Sequence, residues 1–144
     1  MRPVTRRAQA ILGALAASMA LVVVTGPVAA ASPQPVTFTI DMHWEVGEGT
    51  FDVTSGGGSI CDSGTVVDTQ LIFGGYQSGQ GVQVLVRKAF ICDDGVFFLK
   101  MQVHANPDGT EVFSWVIQGG TGEYEKLGGS GDGTTVPGAP GYNK

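Results

Sequence analysis

The chain has 144 residues, a net charge of −5, two cysteines and a charged fraction of 15%. Its acidic balance argues against nucleic acid and against anionic lipid surfaces, whose phosphates would repel it. The acidic residues are scattered rather than grouped in runs, the pattern of a solvated surface.

Arg2, Arg6 and Arg7 form a positive leader, and an uncharged run from Ala8 to Ala31 follows. The run closes on Val28-Ala29-Ala30-Ala31, small residues that suit a signal peptidase. Residues 1–31 therefore read as a signal-peptide helix, which implies a secreted, extracellular protein. The alternative is an uncleaved anchor holding the chain to the cell envelope through residues 8–31, since about 20 apolar residues suffice to span a membrane. N-terminal sequencing of the exported form separates the two. Cleavage removes three arginines and no acidic residue, so the remainder is more acidic than the whole chain. It keeps about 113 of the 144 residues, enough for one domain with a core.

From residue 36 the pattern has period two. Val36, Phe38, Ile40, Met42, Trp44 and Val46 share one face of a first strand, with Asp41, His43 and Glu45 on the other. Gly47–Gly49 predict a turn, and Phe51 and Val53 a short second strand. The SGGGS loop at 55–59 leads to Cys61. A third strand runs over 65–73, with Val67, Leu71 and Phe73 on its apolar face. The connection GGYQSGQG separates it from a fourth over 82–92. There Val82, Val84, Val86 and Phe90 share a face, and Leu85, Ala89 and Ile91 occupy the other, which implies burial on both sides. Arg87 and Lys88 are neighbours and so point to opposite faces; one of them can point inward. Cys92-Asp93-Asp94-Gly95 is a hairpin signal. Phe97, Leu99, Met101, Val103 and Ala105 form the inner face of a fifth strand, opposite Lys100, Gln102 and His104. Asn106-Pro107-Asp108-Gly109 is a turn, and Phe113, Trp115 and Ile117 face inward from a sixth strand. Short strands joined by Gly and Asp-Gly turns predict an all-β, antiparallel barrel of six to eight strands over 32–135, or alternatively a β-sandwich. Residues 136–144 read as a flexible tail.

Cys61 and Cys92 are the only cysteines. In an oxidising exterior they predict one disulfide bond, stabilising the fold by roughly 3–4 kcal/mol in the chain-entropy account. Neither has a CxxC partner or a histidine at zinc spacing. No cofactor motif is present. Among polar groups, His43 between Asp41 and Glu45 is the one weak catalytic candidate, because a histidine beside carboxylates can act as a general base. The bland reading, a solvated outer face, is preferred. Trp44 and Trp115 read as core packing, with ligand stacking as the lesser alternative.

The stretch after the sixth strand, WVIQGGTGEYEKLGGSGDGT, is dense in glycine. It lacks the third glycine of a dinucleotide loop and the lysine of a phosphate-binding loop. As a calcium repeat it places Asp132 one position early and in a single copy. The surviving reading is mechanical: glycines let the sheet bend and strands approach closely. Glu123–Leu127 can form one helical turn, with Tyr124 and Leu127 on one face to plug an end of the barrel, before Gly128 onward re-enters as a last strand. The pattern of Trp115, Gly119, Gly120, Gly122, Tyr124, Leu127, Gly129 and Gly131 resembles the closing hairpin of the allene oxide cyclase and dirigent barrel superfamily. Together with Cys61-Asp62-Ser63-Gly64-Thr65 and Cys92-Asp93-Asp94-Gly95, it resembles more closely small exported bacterial proteins with such a barrel. The resemblance covers most of residues 36–135. It implies an eight-stranded barrel with an apolar interior, often oligomeric. None of the superfamily's functional residues maps onto this chain position by position, so fold alone does not confer its chemistry.

Three functions follow. The favoured one is non-catalytic binding of an apolar small molecule or of a partner surface. The others are a barrel enzyme steering a reactive small molecule, and a structural envelope protein. The interior decides among them: a void of a few hundred cubic ångströms favours a small molecule, and a packed interior favours a surface function.

Overall fold

The computed structural model describes residues 33–75, 81–136 and 142–143. The leader expected over 1–31 lies outside the described residues, as do 76–80 of the glycine-rich connection and most of the expected tail. Eight strands form one antiparallel sheet: β1 (Thr37–His43), β2 (Glu48–Ser55), β3 (Ser63–Phe73), β4 (Val82–Cys92), β5 (Gly95–Ala105), β6 (Glu111–Gly120), β7 (Ser130–Thr135) and the two-residue β8 (Tyr142–Asn143). Strands β1 to β7 pair in sequence order, each with the next, and β8 lies on the far side of β1. There is no α-helix among the described residues, only the 3₁₀ turn Gly122–Tyr124.

The sheet curls. Phe38 of β1 and Trp115 of β6 are far apart in strand order, yet their ring centroids are 5.6 Å apart. The fold is thus all-β and barrel-like. Hydrogen bonding does not close it: β1 meets β8 only through Met42 and His43, and β7 pairs only with β6 among the described residues. A seam therefore remains between β1 and β7.

Alternation predicts the inner face well in β5 and β6, and four readings need correction. The first strand ends at His43. Residues 44–47 form a turn stapled by the Val46 and Gly47 amides, which donate to the His43 carbonyl. Trp44 and Val46 are consequently 59% and 63% exposed instead of inside. In β3 a bulge at Thr69 shifts the register between Asp68 and Gln70. An extra residue reverses the facing of everything beyond it. Val66, fully buried, replaces Val67 on the inner face before the bulge; beyond it Leu71 lines the cavity but is half exposed, and Phe73, expected inside, is 68% exposed. In β4, Ala89 is buried on the outer face but Ile91 is exposed, so burial on both sides is only partial. The expected tail also contains β8, which hydrogen-bonds to β1.

The disulfide Cys61–Cys92 ties the approach to β3 to the end of β4. The segment after β6 works as a plug. Tyr124 is 2% exposed, packs edge-on against Phe97 at 5.4 Å, and donates its hydroxyl to Asp94 Oδ1 at 2.6 Å. Leu127 packs against the same core. Gly120 has no room for a side chain, because a Cβ there would collide with the Val96 carbonyl and Tyr124.

Candidate functional site

The interior has two unlike ends. Along β4, period two sends Val84, Val86, Lys88, Phe90 and Cys92 inward. Around Phe90 the space is filled: its ring stacks on Phe97 at 4.8 Å and meets Phe51 and Phe38 edge-on at 5.0 and 5.8 Å. Tyr124 seals this end. Toward the start of β4 the inward residues are short. Val84, Val86 and Val103 cannot reach across the sheet, and they leave a cavity of about 530 Å³ whose wall also includes Leu71, Met101 and Phe113.

Strand β7 widens this space. Gly131 faces Trp115 and Gly133 faces Phe113 across the ladder. A Cβ on Gly131 would lie 2.6 Å from Trp115 Cζ2, and one on Gly133 would strike the Phe113 ring. Both rings thus lie over positions of β7 that carry no side chain. The cavity also reaches both sides of the seam, with Phe38 and Ile40 from β1 and Thr134 and Thr135 from β7 in its lining.

One ion pair enters the apolar wall. Lys88 is 8% exposed, and its Nζ donates to Asp68 Oδ1 at 2.6 Å. The two residues face each other across the β3–β4 ladder, immediately before the bulge. Withdrawing both charges from water is costly, and their attraction offsets that cost only when the geometry is close. Lys88 sits on the boundary between the filled and hollow ends, and both side chains line the cavity. Its inward facing was legible, because 88 shares parity with Val84, Val86 and Phe90; Asp68 was not, because the bulge hides its parity.

Asp41 and His43 are half-buried on β1, while Glu45 is exposed in the turn beyond the strand end. The wall of the hollow end contains none of these three. Cys61 and Cys92 are bonded to each other. Gly119, Gly120, Gly122, Tyr124 and Leu127 build the plug. Gly131 carries Trp115, and Gly129 has ordinary contact with Ile117. Trp115 packs on the core and also lines the cavity. No group of three or more His, Cys, Asp and Glu side chains is placed to hold a metal among the described residues. Comparison with protein-family models, curated proteins and solved structures returned no match.

Proposed function

We propose that this is an exported, barrel-like binding protein whose hollow end takes an apolar small molecule without turnover. The supporting observation is the cavity of about 530 Å³, within the range of small-molecule sites, beside a core that is otherwise tightly packed. The Cys61–Cys92 bond accords with an oxidising destination. The relation to the cyclase and dirigent superfamily belongs to the same proposal and rests on the glycine and tyrosine pattern of the plug. A neutral hydrophobic fluorophore titrated into the full chain should bind saturably. Val103→Trp, which fills the cavity, should abolish that binding while the protein stays folded. Saturable binding that survives Val103→Trp would overturn this reading.

One observation favours a second reading, a barrel that steers a reactive small molecule: the Lys88–Asp68 pair converges on the cavity. Product formation that disappears in Lys88→Met would distinguish this from binding alone.

A further inference from the structure

We propose that the Lys88–Asp68 pair is the polar anchor of the cavity, and that it selects a neutral, largely apolar ligand bearing a carbonyl oxygen. The inference rests on the reading of the hollow end as a ligand site. An ammonium offers three N–H donors, and Asp68 Oδ1 takes one of them at 2.6 Å. Around them the wall is mainly hydrocarbon: Val84, Val86, Met101 and Val103. A ligand that fills this space has to supply acceptors for the remaining donors, because the hydrocarbon wall cannot.

The chemistry of the ligand follows from what each class would do to those donors. A hydrocarbon leaves them buried without an acceptor, which costs free energy. A carboxylate supplies an acceptor but arrives beside Asp68. The lining also includes Glu111, so two carboxylates stand against one ammonium and a further anion is repelled. A cationic ligand competes with Lys88 for the Asp68 carboxylate. A carbonyl oxygen accepts from Lys88 without adding charge, and its apolar remainder covers the valines. The pair then fixes one end of the ligand at the boundary with Phe90 and leaves the rest directed along the hollow.

The test uses three probes of one size with the full-length protein: naphthalene, 2-acetylnaphthalene and 2-naphthoate, each titrated by calorimetry. The comparison variant is Lys88→Met/Asp68→Leu, because replacing a buried ion pair by apolar residues of similar volume preserves folding. The expected result is a loss of roughly tenfold in affinity for 2-acetylnaphthalene in this variant, the worth of one hydrogen bond to a charged donor. Naphthalene should bind the variant at least as tightly as the wild type. Wild type should bind 2-naphthoate more weakly than the ketone, and Asp68→Asn, which leaves Lys88 its charge, should strengthen naphthoate binding. A merely structural ion pair would not produce that reversal. Naphthalene binding combined with unchanged ketone affinity in the double variant would overturn the anchor and leave the cavity reading standing. If none of the three probes binds wild type, both fall.

Discussion

Gly131→Ala puts the two-ended interior to a stringent test, because it adds one methyl group at a position where the structure has no space for it. The new Cβ would lie 2.6, 2.8 and 3.1 Å from Cζ2, Cε2 and Nε1 of Trp115. Carbon atoms in contact prefer about 3.5–4.0 Å, so the indole must retreat by roughly 1 Å. Phe38, 5.6 Å away between ring centroids, limits that retreat. Overpacking of this kind costs roughly 1–3 kcal/mol. Removing a glycine from the unfolded chain offsets about 0.4–1 kcal/mol. A net loss of about 1–2 kcal/mol follows, which lowers Tm by several degrees in a domain of this size. Urea unfolding followed by tryptophan fluorescence measures it, with an unchanged m value showing that only stability moved. Gly128→Ala is the control: nothing lies within 4 Å of its Cβ position, and its stability should stay within about 0.5 kcal/mol of wild type. Trp115→Leu should relieve much of the Gly131→Ala penalty in a double-mutant cycle. A Gly131→Ala protein as stable as wild type would mean that Trp115 does not lie on β7, and the account of how the cavity stays open would fail.

Three further outcomes are expected. Replacing Cys61 and Cys92 together by serine should destabilise by roughly 3–4 kcal/mol, read by denaturant unfolding; an unchanged midpoint would show that the bridge constrains nothing the strands do not already hold. Burial, reinforced by the hydrogen bond to Asp94, pushes the Tyr124 phenol up to about 12 from its ordinary 10. Because the folded value is the higher one, this stabilisation is complete below pH 10 and is lost as pH rises from 10 through 12. Tyr124→Phe should remove that alkaline slope at a cost of about 1 kcal/mol at neutral pH, and a slope that persists would contradict the assignment. Lys88→Met alone should cost roughly 3 kcal/mol by leaving the Asp68 charge without its partner, while Lys88→Met/Asp68→Leu should recover most of it; equal stability of the two variants would show that the pair is not coupled.

Much of the fold was legible because hydrophobic alternation and strand geometry share one period. Phe97 through Val103, and Phe113 through Ile117, could be assigned to the inner face by parity alone. Parity failed where the backbone changes phase. Thr69 carries no signature of a bulge, so Val66 and Val67 could not be ordered. Trp44 and Val46 continue the alternation of β1 past the point where its hydrogen bonding stops, so the pattern could not mark the turn. The glycines of the last hairpin read as mechanical, and in the structure Gly131 and Gly133 lie under the Trp115 and Phe113 rings. The cavity itself was out of reach. Its existence depends on which short side chains meet across neighbouring strands, Val84 beside Val103 and Val86 beside Leu71 and Met101, a property of three-dimensional register that no single strand displays. Lys88 was half visible, as one member of an adjacent basic pair, while its partner depended on the unseen bulge.

One end of the curled sheet is filled and the other is a hollow of about 530 Å³. Methyl-detected NMR during titration with 2-acetylnaphthalene tests it most directly. The account predicts shifts confined to Leu71, Val84, Val86, Met101 and Val103, with Val66 and Leu99 unmoved. Shifts centred on the exposed Val46 and Ile72, or spread evenly over both ends, would contradict it.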